Sequence, residues 1–217
     1  ILNSGNSGTT ARLIPAMLTN SNHWVKITGD NSLRKRDMGR VIKPLKLFGI
    51  KFKNNNANLP LLVKGPKLLN PIKYTENLGS AQCKSAMMIA ALKANGKTKL
   101  KCLPSRSHTE LMFKNVLKIP VKLYKKKKYD FIEVDGMNEF KKFNYKIPGD
   151  ISSASFFIVL TLLSKKTSLI IKNTNINPSR TGIIQILNMM GAKIKTIRKK
   201  KYKGELTADI FIKSNKS

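Results

Sequence analysis

Three segments of the chain open on small polar residues and run into an apolar stretch. They are Gly5-Asn6-Ser7-Gly8-Thr9-Thr10-Ala11-Arg12-Leu13, Gly79-Ser80-Ala81-Gln82-Cys83-Lys84-Ser85-Ala86-Met87 and Gly149-Asp150-Ile151-Ser152-Ser153-Ala154-Ser155-Phe156. Their near-equal spacing marks an internal repeat, and a repeat narrows the possible folds more than composition does. Each segment leads to a short alternating strand, as in Lys97-Thr98-Lys99-Leu100-Lys101-Cys102-Leu103 and Thr167-Ser168-Leu169-Ile170-Ile171-Lys172. A second helix then follows in register, introduced by a polar turn with a basic residue and closed by Gly or Pro. The copies run from Leu33-Arg34-Lys35-Arg36 to Phe52, from Ser105-Arg106-Ser107-His108 to Leu123, and from Pro178-Ser179-Arg180-Thr181 to Ile194. In the first, Val41, Ile42, Leu45 and Phe48 share one face, and Gly49 stands where a helix C-cap is expected. The order within a unit is helix, strand, helix, strand, strand, and three such units predict an α/β protein with internal symmetry.

The first helix of each unit is apolar nearly all round, as in Ser85-Ala86-Met87-Met88-Ile89-Ala90-Ala91-Leu92 and Ser155-Phe156-Phe157-Ile158-Val159-Leu160. It is therefore expected to be buried, whereas the second is one-sided. A buried helix that begins at the surface offers unpaired N–H groups and the positive end of its dipole to an anion. Taken singly, Ser7, Ser80 and Ser152 read as helix caps. Taken together, with Arg36, Arg106 and Arg180 in register beside them, they favour a phosphate-lined cleft.

The net charge of +31 invites a nucleic-acid reading. Only seven of the 42 basic residues are arginine, however, and the lysines are scattered through the whole chain. The densest runs, Lys125 to Lys128 and Arg198 to Lys201, form no aromatic platform for bases and are expected to be solvated hairpin turns. A positive field of this kind equally attracts small anionic substrates. Cys83 and Cys102 have no framework spacing, and with two His they make up no zinc set, so neither a disulfide scaffold nor a metal site is expected. No apolar run reaches the roughly 18 residues of a membrane span. The first residue is Ile1, and no signal peptide follows it; the expectation is a part of something longer, in a reducing cytosolic setting.

At the repeat starts the sequence resembles enolpyruvylshikimate-phosphate synthase. Gly5-Asn6-Ser7-Gly8-Thr9-Thr10-Ala11-Arg12 is similar to that family's G-N-[AS]-G-T-x-x-R stretch, and Ser80-Ala81-Gln82-Cys83-Lys84-Ser85-Ala86 to its S-A-Q-x-K-S-A. Ser105-Arg106-Ser107-His108-Thr109-Glu110 is similar to S-R-D-H-T-E, Pro148-Gly149-Asp150-Ile151-Ser152-Ser153-Ala154 to P-G-D-x-S-S-A, and Asn177-Pro178-Ser179-Arg180-Thr181-Gly182 to N-P-x-R-T-G. The motifs occur in the family's order and cover the chain nearly end to end.

The resemblance implies the inside-out α/β fold of enolpyruvyl transferases, with globes built from repeated β-α-β-α-β-β units, incomplete here, and substrates in a cleft between two globes. Residues 1–147 would be most of the first globe and 148–217 the first repeat of the second. It also implies transfer of the enolpyruvyl group of phosphoenolpyruvate to shikimate 3-phosphate, in aromatic amino-acid biosynthesis. Gly8, Arg36 and Gln82 match positions that contact phosphoenolpyruvate. Ser80, Ala81 through its backbone, Gln82, Ser105 and Arg106 match contacts to shikimate 3-phosphate. No metal or organic cofactor, nucleic acid or membrane is implied; the complete enzyme would be a cytoplasmic, or in photosynthetic eukaryotes plastid, monomer. The family's acid/base residues and its P-G-D-K-S segment fall outside Ile1 to Ser217, so the chain as given is expected to have no turnover.

Two departures stand out. Lys35-Arg36-Asp37 replaces the usual Arg-Pro, placing a carboxylate beside the phosphate-binding arginine, and Ser107 replaces an aspartate. Among the remaining residues, Lys84 either faces the cleft, where it would be the one catalytic candidate, or snorkels to water. His108 is read as orienting the Arg106 loop, Asp150 as a helix cap, and His23 and Trp24 as surface or packing residues. The rival enzyme is the sugar-nucleotide enolpyruvyl transferase of cell-wall synthesis, against which the S-A-Q-x-K-S and S-R-x-H-T-E matches count. The rival from another class is a basic nucleic-acid-binding module.

Overall fold

The computed structural model describes residues 1–53, 56–137, 139 and 141–214. The first copy of the repeat comprises β1 (Leu2–Asn3), α1 (Gly8–Met17), β2 (Val25–Thr28), α2 (Asn31–Arg34), α3 (Gly39–Leu47), β3 (Lys51–Lys53) and β4 (Leu61–Lys64). The second comprises β5 (Lys73–Glu76), α4 (Ala81–Ala91), β6 (Lys97–Cys102), α5 (His108–Met112), β7 (Val121–Lys126) and β8 (Tyr129–Asp135). The third comprises α6 (Ile151–Leu163), β9 (Ser168–Asn175), α7 (Gly182–Met189), β10 (Lys193–Tyr202) and β11 (Glu205–Lys213).

Each copy makes its own sheet, and the strands they share follow the same order. The orders are β1-β2-β4-β3, β5-β6-β8-β7 and β10-β11-β9. In the first two the opening strand runs parallel to the second, and the remaining pairs are antiparallel. Among the described residues the third copy has no opening strand; a single parallel bridge from Gly149 to Thr174 takes its place. The repeat read from glycine spacing is thus a repeat of hydrogen-bond connectivity.

The described residues group into two compact units, Ile1–Ser105 with Ile119–Phe140, and Arg106–Lys118 with Lys141–Ser217. These units do not follow the repeat boundary at 148, because α5 and the π-helical turn after it (Phe113–Leu117) group with the later residues.

In the first unit α4 is the central element. Cys83, Lys84, Ala86, Met87, Met88, Ala90 and Ala91 are all buried along it, as a helix without a polar face requires. It packs against α1 and α3. The alternation of β6 turns Thr98, Leu100 and Cys102 inward. The one-sided character expected of α3 holds: Val41, Leu45 and Phe48 are buried and Ile42 half-buried. Gly49 ends that helix with φ +92°, a conformation that favours glycine. The run from Leu33 to Phe48 is two helices and not one, broken between Arg34 and Gly39.

In the second unit α6 is covered on one face only. Ile151, Ala154 and Ile158 pack with Ile184, Ile194, Ile210 and Ile212, whereas Phe156, Phe157, Leu160 and Leu163 are exposed. The run Lys125 to Lys128 forms the expected hairpin turn between β7 and β8, with Lys127 at positive φ. Arg198 to Lys201 does not: it lies within β10 at a register shift, and the turn falls at Lys203 and Gly204. No helix among the described residues is long and apolar enough to cross a membrane.

Because Met87 is wholly buried at the middle of α4, Met87→Ala is expected to destabilise the chain by about 2–5 kcal/mol. Urea unfolding should show this as a lower midpoint at unchanged slope; a loss below about 1 kcal/mol would contradict the central place given to α4.

Candidate functional site

The starts of α1 and α4 are built alike. Ser7 has extended backbone and its Oγ accepts the N–H of Thr10 at 3.2 Å; Ser80 is likewise extended and accepts the N–H of Cys83 at 3.3 Å. Both serines are therefore caps. The third copy differs: Asp150 caps α6 by accepting the N–H of Ser153 at 3.1 Å, as expected for that residue. Arg180 in turn donates to Asp150 Oδ1 at 2.7 Å and to Ser152 Oγ at 2.5 Å. Burial would raise the Asp150 pKa, but the bond from Ser153 and the charge of Arg180 outweigh it and hold the carboxyl below its usual value.

Gly8, Arg36 and Gln82 are brought together within the first unit, and the residue that joins them is Arg12. The residue is 5% exposed. Nη1 donates to Gly8 O at 3.4 Å and Gln82 Oε1 at 3.1 Å, and Nη2 donates to Asp37 O at 3.2 Å. Gln82 Nε2 donates to Thr9 Oγ1 at 2.9 Å, so its amide is fixed at both ends. A Cβ on Gly8 would stand 2.7 Å from Arg12 Nη1 and 3.4 Å from Arg36 Nη1, so a larger residue there would push the Arg12 guanidinium aside. Burial, then the like charges of Arg40 and Arg36, lower the Arg12 pKa, with Asp37 opposing them. Such a cluster of guanidinium groups beside a capped helix start is suited to binding an anion.

Arg36 is exposed in the break between α2 and α3, where its Nη2 donates to Asn6 Oδ1 at 3.0 Å and Ser32 Oγ at 3.5 Å. Asn6 donates to Asp30 Oδ2 at 2.6 Å, and Asp30 Oδ1 accepts the N–H of Leu33 to cap α2. The carboxylate of Asp37 does not occupy Arg36; Oδ1 accepts the N–H of Gly39 at 2.9 Å, at the start of α3.

Ser80 and Ala81 stand beside Gln82 at the start of α4. Ser105 belongs to the first unit, its hydroxyl buried and unpartnered among the described residues, and Arg106, exposed, belongs to the second. Lys84 is wholly buried in α4, so it does not snorkel to water. His108 donates from Nδ1 to Glu205 Oε1 at 2.5 Å, and Glu205 Oε2 also accepts from Asn175 at 3.0 Å and Asn177 at 3.4 Å. Ser107 Oγ accepts from Asn177 at 3.5 Å. Burial would raise the Glu205 pKa, yet these bonds, His108 first, hold it below its ordinary value.

Sequence reasoning singled out neither Arg12 nor Glu205. Arg12 lay within a quoted motif, one turn after Gly8, where an i, i+4 pair on a helix meets. Glu205 carries no local signal.

The fold is that of the enolpyruvyl transferases. The chain superposes on an EPSP synthase from Acinetobacter baumannii with a TM-score of 0.80 and 36% identity, covering 97% of this chain and 47% of that one. It also matches the enolpyruvyl transferase NikO from Streptomyces tendae, with a TM-score of 0.65 over 94% of this chain and 47% of the other, a likeness of fold alone at 10% identity. The model of the family described as EPSP synthase (3-phosphoshikimate 1-carboxyvinyltransferase) matches residues 1–210. Relatives named 3-phosphoshikimate 1-carboxyvinyltransferase are 42% identical in Petrotoga mobilis and 45% identical in Caldicellulosiruptor saccharolyticus, each over 99% of this chain and 50% of their own length. The chain belongs to the EPSP synthase family, and it spans about half the length of the curated relatives it matches.

The depressed pKa of Glu205 predicts a pH dependence. A carboxylate whose folded pKa lies below the unfolded one adds stability above the unfolded value, here about 4.5, and loses it as pH falls through the folded value. Glu205→Gln should therefore melt lower than the parent at pH 7, with the gap narrowing below about pH 4.5. A gap that is constant with pH would contradict the ionised, hydrogen-bonded state.

Proposed function

We propose that this chain is part of an enolpyruvyl transferase that joins phosphoenolpyruvate to shikimate 3-phosphate in aromatic amino-acid biosynthesis, as a monomeric cytoplasmic enzyme. The observation that carries the proposal is the constellation of Gly8, Arg12, Arg36 and Gln82 at the capped starts of two buried helices. In this assignment phosphoenolpyruvate lies against Gly8, Arg36 and Gln82. Shikimate 3-phosphate is held by Ser80, the Ala81 backbone and Gln82, with Ser105 and Arg106 assigned by their motif.

The reaction adds a hydroxyl of shikimate 3-phosphate to C2 of phosphoenolpyruvate, with a proton delivered to C3. The tetrahedral intermediate then loses phosphate, and a proton leaves C3 to restore the double bond. Both reactants are anions, so the work asked of these residues is positioning and charge neutralisation. A guanidinium meets phosphate or carboxylate with two parallel bonds, and Gly8 lets the backbone approach closely.

The full-length protein is expected to release phosphate from phosphoenolpyruvate only when shikimate 3-phosphate is present. Release driven instead by a sugar nucleotide would favour the cell-wall enzyme, and neither activity would reject the proposal. In the same assay Gly8→Ala, whose Cβ displaces Arg12, should raise the KM for phosphoenolpyruvate about tenfold while leaving that for shikimate 3-phosphate within about twofold. An unchanged KM for phosphoenolpyruvate would remove Gly8 from the site.

A further inference from the structure

The strand that opens a repeat ends four residues before the capping serine, at Asn3 before Ser7 and at Glu76 before Ser80. In the first copy Asn3 Oδ1 accepts one bond from the following loop, from the N–H of Gly5 at 3.0 Å. In the second, the register-equivalent residue is a carboxylate only 2% exposed, and it accepts three. Oε1 takes the N–H of Leu78 at 2.9 Å and of Ser80 at 3.1 Å, and Oε2 takes that of Gly79 at 2.9 Å. Gly79 reaches this arrangement with φ +62°. Three successive amides around one carboxylate form a strong, charge-assisted cradle that no neutral side chain reproduces.

The cradle sorts the donors at the start of α4. The amides of Leu78, Gly79 and Ser80 are turned onto Glu76, and that of Cys83 is taken by Ser80 Oγ. The amides of Ala81 and Gln82 donate to no acceptor among the described residues, and neither does the Ser80 O–H, whose oxygen already serves as the cap. These three donors are adjacent and lie at the positive end of an 11-residue helix. Left to itself, the Asn77 to Gly79 loop would have freedom to rotate Ser80 away from them.

We infer that Glu76 is a positioning residue for the shikimate 3-phosphate site: its carboxylate locks the loop before α4 so that the Ser80 hydroxyl and the Ala81 and Gln82 amides present one set of donors to the ligand's phosphate. The inference rests on the assignment of that ligand to the start of α4. Glu76 itself does not touch the ligand; its charge is taken up by the three amides.

The test is steady-state kinetics and ligand titration on the full-length protein carrying Glu76→Ala or Glu76→Gln. Glu76→Ala should raise both the Kd and the KM for shikimate 3-phosphate about tenfold or more, because misplacing a binding group by about an ångström has effects of that order. The KM for phosphoenolpyruvate, and kcat at saturating shikimate 3-phosphate, should stay within about threefold. Glu76→Gln keeps one acceptor oxygen and should fall between the two, a partial rescue; should Glu76→Ala fail to fold, it carries the test. Variants that melt lower but bind shikimate 3-phosphate within about twofold of the parent would overturn the inference, leaving Glu76 a purely structural residue. A parent protein that does not bind shikimate 3-phosphate would instead overturn the functional assignment, and the inference with it.

Discussion

One buried guanidinium holds the candidate site together. Arg12 crosses from α1 to the Gln82 side chain on α4 and to the backbone of Asp37 ahead of α3. Removing such a charge from water is costly unless its donors are satisfied. Its Nη1 and Nη2 bonds fall on a main-chain oxygen of its own helix, on an amide and on a second main-chain oxygen, so polar groups of three chain segments meet there, while the buried Nε has no partner among the described residues. The demand explains Gly8: the guanidinium returns over its own helix start, and a methyl group at that position would lie within 2.7 Å of it. Gly8 and Arg12 thus pack against each other at the start of α1.

Around this clamp the three repeats have diverged in what their helix starts do. The first and second copies cap with serine and leave the following arginine or glutamine to serve other contacts. The third caps with Asp150 and closes Arg180 onto it and onto Ser152. An arginine already engaged by a carboxylate has less to offer an anion, so the same topology yields a pair of open helix starts in one unit and a closed one in the other. The two starts in the first unit are those at which we propose that the substrates bind.

Much of this was legible in the sequence because it is periodic and local. The repeat follows from the near-equal spacing of three similar segments, and the buried character of α4, the Gly49 cap and the Asp150 cap each follow from patterns within a few residues. Two kinds of feature were not. The first is pairing between residues distant along the chain: Arg12 with Gln82, and His108 with Glu205, have no local pattern to announce them. The second is competition between neighbours. Asp37 stands next to Arg36 in the sequence, but its carboxylate turns the other way and accepts the N–H of Gly39 at the start of α3. Similarly, the lysine-rich segment from Arg198 reads as a turn by charge, yet pairing of β10 with β11 draws it into a strand. The apolar girth of α6 was also plain, although only one of its faces is covered here.

The most direct test of the central claim is a double-mutant cycle on stability, comparing Arg12→Met, Gln82→Leu and the double variant by urea unfolding. If the guanidinium clamps α1 to α4 through the Gln82 amide, the two substitutions will couple by about 1–3 kcal/mol. Additivity within about 0.5 kcal/mol would mean that the two side chains act independently, and would contradict the account.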